Sequence, residues 1–226
     1  MPLLGSAAML LAFDVAAEAV DEHDRWHTHE HLPERLSIPG FLRGTRWLAA
    51  EGAPRYMVLY EVASLATLTS PAYLERLDHP TPWTTKIMAY YRGMSRGLCA
   101  VLGSFGYGQG GAAALVRFTP SASQAVQLHR WLLDEALPRL STTSGLGSAH
   151  LLQGVQPGAM TNEQRIRGAD RGVDSAVIVT GYDAIAVTRH AQALLDAGGL
   201  SGRGAGAISL ATYSCSYSLA RAEIDA

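Results

Sequence analysis

Residues 26–47, WHTHEHLPERLSIPGFLRGTRW, hold three alternate histidines, a proline inside a helical pattern, a Pro-Gly turn and an arginine-bearing strand. The helical pattern runs from Ala16 to Leu36. Pro33 must kink or finish its regular part, since proline donates no N–H and its ring crowds the carbonyl four residues back. Pro39-Gly40 ends it. Phe41 to Leu48 then sets Phe41, Arg43, Thr45 and Trp47 against Leu42, Gly44, Arg46 and Leu48, the period of a strand.

Working outward, Met9 to Val15 is a continuous apolar run that reads as a buried strand. A turn containing Gly52 and Pro54 leads to a strand at Tyr56 to Val62. Ser64 to Thr69 reads as a short helix, SPAYLERLDHPTPW as a loop, Thr84 to Arg92 as a helix and Met94 to Phe105 as a strand. This is βαββαβ, the ferredoxin-like order, over roughly 100 residues.

The glycine-rich Gly106 to Gly111 follows, and the order restarts. Strands are expected at Ala112 to Phe118, Leu146 to Gln153, Ser175 to Tyr182 and Ala207 to Ser218, with helices at Ala122 to Leu140 and Ala184 to Ala197. Trp26, Glu30, Leu32-Pro33 and Gly40 recur 105 residues later as Trp131, Glu135, Leu137-Pro138 and Gly145. Five matches at one offset indicate an internal duplication. Only the long loop Val155 to Val173 lacks a counterpart of its length. The expectation is an α+β fold of tandem ferredoxin-like repeats, residues 1–105 and 106–226. The uncovered sheet face of each would be buried against the other in an intrachain α+β barrel.

Hydrophobic residues make up 48% of the chain and charged residues 17%, which supports a real core and argues against disorder. A formal net charge of −2 and a single lysine, Lys86, argue against a nucleic-acid footprint. No stretch approaches the roughly 20 apolar residues that span a bilayer. The apolar N-terminus lacks a basic start and is stopped by Asp14, unlike a signal peptide. Cys99 and Cys215 share no metal-type spacing and read as free thiols of a reducing compartment, so a cytoplasmic location is expected.

The first half resembles the EthD-like family of bacterial proteins, within the dimeric α+β barrel superfamily that includes small cofactor-free monooxygenases and muconolactone isomerases. Glu30, His31, Pro33, Arg35, Pro39, Gly40 and Phe41 match its EHxPERLxxPGF signature, and RYMVLYEV and SPAYLERLDHPTPW continue the likeness over residues 9–105. The second half matches only in element order and in the Trp131/Pro138 echo. The resemblance carries no catalytic residue over. It implies a small-molecule pocket and no tightly bound cofactor. Haem-binding relatives such as chlorite dismutases need a proximal histidine in a dedicated haem domain, and no clear equivalent stands here.

The duplication also weighs the histidines. His27 aligns with Leu132 and His31 with Ala136, so the first helix directs imidazoles where its copy directs aliphatic side chains. Polar residues at core-facing positions mark functional sites unless they merely cap a solvated seam. His31 is the candidate general acid/base and His27 a candidate binding residue. Asp21, Glu22 and Asp24 make the turn at His23 look solvated. HTHEH also spells HxxEH, but chain size and element order do not suit a zinc protease, so no metal site is expected.

Arg46, on the strand face of Leu42 and Leu48, needs either a carboxylate, with Glu61 first in line, or an anionic ligand. Glu30, Arg35, Tyr60 and Trp83 complete the candidate binding set, Trp83 as the residue that closes the pocket. Glu30 and Arg35 read equally as a salt-bridged face, and Trp83 as loop packing. The expected function is transformation of a small aromatic or carbonyl compound by cofactor-independent oxygenation or isomerisation. The alternatives are a non-catalytic ligand-binding or assembly module, and a haem or metal protein using His27 and His31. Assembly into a homo-oligomer is left open.

Overall fold

The computed structural model describes residues 3–49, 52, 54–156, 160–196 and 198–224. Two compact units emerge. The first comprises Leu4–Cys99, Gln156–Gly172 and Ser216–Ala226; the second comprises Met1–Leu3, Ala100–Val155 and Val173–Cys215.

In the first unit, β1 (Ala7–Val15) and β2 (Phe41–Ala49) both pair antiparallel with β3 (Tyr56–Val62). Between β1 and β2 run α1 (Val20–Trp26), a π-helical turn (His27–His31) and α2 (Leu32–Ser37). Pro33 does not end the helix, as it could have done; the helix widens instead. The Leu32 N–H bonds to the His27 carbonyl five residues back, which takes up the register that a mid-helix proline disrupts. After β3 come a 3-10 turn (Leu65–Thr69), α3 (Pro71–Asp78), α4 (Pro82–Met88) and β4 (Tyr91–Gly106).

SPAYLERLDHPTPW is therefore not a loop. Ser70 and Thr81 accept hydrogen bonds from the Tyr73 and Thr84 N–H groups, and each is followed by a proline at the first helical position. The helix expected at Thr84 to Arg92 starts earlier and stops at Met88, since Tyr91 and Arg92 already belong to β4.

In the second unit, β5 (Ala112–Pro120) and β6 (Leu146–Val155) flank β7 (Ser175–Gly181), and β8 (Ala205–Ala220) pairs with β5. α5 (Ala125–Trp131), a second π-helical turn (Leu132–Ala136) and α6 (Leu137–Ser141) repeat the first helix. Here the Leu137 N–H reaches the Leu132 carbonyl. The two π turns lie 105 residues apart, at the offset of the sequence repeat. α8 (Ala184–Ala193) is capped by Asp183; Ala197, its expected end, lies outside the described residues.

Strand order over the chain is β1-β3-β2-β8-β5-β7-β6-β4, which is β4-β1-β3-β2 and β8-β5-β7-β6, the ferredoxin-like order twice. The fold is the α+β barrel type expected. Each unit has its own apolar core, around Trp26, Tyr60 and Leu36 in the first and around Leu132, Leu151 and Val179 in the second. The long excursion between β6 and β7 contains α7 (Asn162–Arg167), and it belongs to the first unit.

Candidate functional site

His23, His27 and His31 stand at helical spacing on one face of the first helix, and all three are buried. Neighbouring ring centroids lie 5.5 Å (His23–His27) and 5.6 Å (His27–His31) apart, and Trp26 lies 4.3 Å from His31. His23 is thus not solvated, as its acidic neighbours suggested. His23 packs edge-on to Phe13 and Tyr91, and the Asp24 carboxylate lies 3.1 Å from its Nδ1. The corresponding column in the second repeat is Leu128, Leu132 and Ala136, also buried.

Burial holds the His27 and His31 imidazoles well below the ordinary histidine range, and neighbouring positive charge from His23, for His27, and Arg35, for His31, acts the same way. Both rings are neutral near pH 7. Among the described residues, the Nδ1 atoms of both are buried without a hydrogen-bond partner, and Glu34 comes no closer than 3.9 Å to that of His31. Buried nitrogen in that condition is costly. The Tyr60 hydroxyl lies 3.5 Å from His27 Nε2.

His27 and His31 line a cavity of about 20 Å³ with Arg35, Tyr73, Tyr91 and Met94. Arg96 from β4 and Glu163 and Arg167 from α7 add charged groups to its wall, and Met9, Leu11, Leu77 and Met88 add apolar ones. That space is enough for about one water molecule. Arg35 donates through Nη2 to Glu163 and through Nη1 to Glu34 at 3.3 Å, and its guanidinium lies 5.9 Å from the Tyr73 ring centre. Burial alone would make the Arg35 cation less favourable; the Glu163 and Glu34 carboxylates outweigh it and raise its pKa. Arg167 is held the same way by Asp170, at 2.8 Å. α7 is tied down further by Asn162, whose N–H and side-chain amide donate to Asp78 at 3.1 and 2.7 Å.

Of the residues singled out from the sequence, the structure brings His27, His31, Arg35 and Tyr60 together. Tyr60 joins them only through its 3.5 Å approach to His27 and, like Glu30, Arg46 and Trp83, lies outside the cavity wall. The Glu30 carboxylate accepts from Thr81 Oγ1 at 2.5 Å and from Trp26 Nε1 at 3.2 Å, which fastens the helix to the start of α4. Trp83 packs, half-buried, against the apolar core.

Arg46 does not pair with Glu61. It donates to the Asp24 carbonyl at 3.1 Å and lies 3.7 Å from the Asp24 carboxylate and 3.4 Å from Ser216 Oγ. Glu61 instead takes Arg43 at 2.6 Å and the Leu4 N–H at 2.7 Å. The register shift between Phe41 and Arg43 sets Arg43 opposite Glu61 and Arg46 opposite Val58.

Glu163 and Arg167 escaped the sequence reading because nothing periodic surrounds them. The one available signal was the length of the Val155–Val173 insertion, since long loops in compact domains are commonly functional. His23 could have been found from its spacing of four residues from His27.

Among the described residues, no group of three or more His, Cys, Asp and Glu side chains is placed to hold a metal ion. Haem, bound by some proteins of this fold, does not suit these residues. His27 lies between two other rings and His31 against Trp26, and a macrocycle far exceeds the space between them and α7.

Fold and site together define an α+β barrel protein with a histidine- and arginine-lined cavity in its first repeat. Among solved structures, the chain is similar to an anthrone oxidase-like protein at a TM-score of 0.68 and 11% identity, covering 98% of this chain and 96% of that one. A candidate monooxygenase from Fusobacterium nucleatum subsp. nucleatum matches at 0.62 and 9% identity, over 96% of each chain. Chlorite dismutase from Candidatus Nitrospira defluvii, in complex with imidazole, matches at 0.59 and 11%, covering 98% and 94%. At these identities the likeness is one of fold. No protein-family model and no curated protein matches the chain. Among the described residues, no helix is long and apolar enough to cross a membrane.

Proposed function

We propose that the first repeat binds a small aromatic or enolisable carbonyl compound and removes a proton from it. The observation that carries this reading is the pair of buried, neutral imidazoles with unpartnered Nδ1 atoms on a cavity that also presents Arg35, Arg96 and Arg167. His31 acts as the base, because a neutral imidazole is the competent form. The anion that develops is held by the arginines, which outnumber the single wall carboxylate, Glu163. This assigns to Arg35 and Arg167 the anion-holding role that the sequence suggested for Arg46; Arg46 acts through Asp24.

An anion so formed can be reprotonated at another carbon, which is isomerisation. It can also react with O₂, a CH₂ group becoming C=O with release of water. The EthD-like signature and the anthrone oxidase-like fold neighbour support this choice of chemistry. No resident cofactor is invoked, and the two repeats, 1–105 and 106–226, divide the work: the first carries the histidine column, the second an aliphatic copy of it and the α7 residues that wall the cavity.

Ligand entry requires α7 to move, since ligand pockets usually offer about 300 Å³ or more. The size of the cavity favours a second reading, a non-catalytic binding module whose histidines only pack. A screen of phenols, lactones and anthrones, with O₂ uptake and product analysis, separates the two. His31→Ala is expected to abolish turnover with the fold intact. A large loss of melting temperature with unchanged activity would reassign His31 to structure.

A further inference from the structure

Of the three histidines in the column, only His23 has, among the described residues, a carboxylate hydrogen-bonded to its ring. Its Nδ1 lies 3.1 Å from Asp24 Oδ1. Its Nε2 lies 3.4 Å from the hydroxyl of Tyr91, and Tyr91 lines the cavity. The Asp24 side chain is 30% exposed, whereas His23 is fully buried. Asp24 is itself fixed by the Tyr56 hydroxyl at 3.0 Å and by Arg46. A carboxylate, an imidazole and a phenol thus follow one another from solvent to the cavity wall. The Tyr91 contact is longer than a relaxed hydrogen bond, but such contacts characteristically tighten when ligand binds.

We infer that Asp24, His23 and Tyr91 form the proton path between the cavity and solvent, with Tyr91 as the group that meets the ligand and His23 and Asp24 as positioning residues behind it. The inference rests on the proton-abstraction reading above and adds the route by which a proton leaves or returns. The balance is simple. His31 takes a carbon-bound proton, while the hydroxyl proton of a phenol or enol ligand passes to the Tyr91 oxygen as the Tyr91 phenolic proton passes to His23 Nε2. Ligand anion and His23 imidazolium result, with Tyr91 again neutral, and the imidazolium is stabilised by the Asp24 carboxylate. The Nδ1 proton then leaves through partly exposed Asp24.

His27 and His31 cannot substitute in this role, since among the described residues neither has a carboxylate within hydrogen-bonding distance. The groups that face His23 are Asp24 and His27 from its own helix, Arg46 from β2, Arg55 and Tyr56 at β3, and Tyr91 from β4. Asp24 is the sole carboxylate among them. The second repeat, with Leu128 at the matching position, has no such path.

Two measurements on the full-length protein decide the matter. In ¹⁵N NMR titrations of the imidazoles, His23 is expected to take up its proton at a higher pH than His27 and His31. Asp24→Asn should lower that midpoint by roughly 1 pH unit or more. A His23 that titrates with or below the other two, or that ignores Asp24→Asn, overturns the inference.

The second measurement follows 4-nitrophenol by its phenolate absorbance. Wild type is expected to bind it as phenolate, its proton leaving to solvent by way of His23 and Asp24. The isosteric Tyr91→Phe should bind it with the bound phenolate fraction reduced about tenfold, the equivalent of one pH unit. Equal phenolate in wild type, Tyr91→Phe and Asp24→Asn would assign the proton to His31 alone and overturn the path. Failure of wild type to bind any phenol would count against the proposed function instead, and the His23 titration would still decide the path.

Discussion

Glu163 accepts a hydrogen bond from Arg35 across 128 positions of sequence, and both side chains are buried. Removing one partner of such a pair leaves an uncompensated charge in the interior. Glu163→Ala is expected to cost about 3 kcal/mol, read from urea unfolding. Backbone amides of Asn162–Arg167 should then exchange with solvent faster than in wild type. Unchanged stability and exchange would mean that Glu34 alone suffices for Arg35.

The neutral histidines make stability depend on pH in one direction. Their folded pKa values lie below the unfolded value of 6.5, so below that pH the unfolded chain binds more protons and stability falls with pH. The contribution is complete above about pH 7 and is lost progressively from about pH 6.5 downward, at up to about 1.4 kcal/mol per unit for each histidine. The double variant His27→Leu, His31→Ala copies the second repeat and should flatten this acid limb in melts taken from neutral to acid pH.

Gly40 and Gly145 close the two helices at the repeat offset with φ of +91° and +88°. A Cβ at Gly40 would lie 2.5 Å from Thr67 Oγ1, and one at Gly145 would lie 2.4 Å from Ala186 Cβ. Alanine at either position is expected to cost about 1–3 kcal/mol. Comparable falls in melting temperature for the two variants would show that they hold equivalent places.

Glu30 serves Trp26, Thr81 and Thr84 and does not reach the cavity. Replacing this charged acceptor in Glu30→Ala should cost about 2 kcal/mol. Affinity for 4-nitrophenol, measured by titration, should be unchanged. A large loss of affinity at constant stability would return Glu30 to the ligand site.

The parts of the fold legible in the sequence are those fixed by the backbone. Pro33 restricts the backbone and Gly40 takes a positive φ that other residues resist, so their echoes at Pro138 and Gly145 disclosed a repeat that side-chain similarity had almost lost. The histidine face was legible for the same reason, because His27 and His31 broke a pattern that the second copy kept apolar. Pairings between distant segments were not legible. Arg46 looked able to reach Glu61, but a shift of register near the start of β2 sets Arg43 there instead. Glu163 and Arg167 lie in a segment with no period at all, and their partners were visible only after the chain had folded back.

That folding back has a consequence for how the gene can change. The insertion that walls the first repeat's cavity is encoded between two strands of the second repeat. A duplicated gene can ordinarily lose a copy or split in two, with each product then evolving alone. Here a break at the linker would strand the cavity's wall on the wrong polypeptide. The two halves must be inherited together, even though only one of them carries the imidazoles.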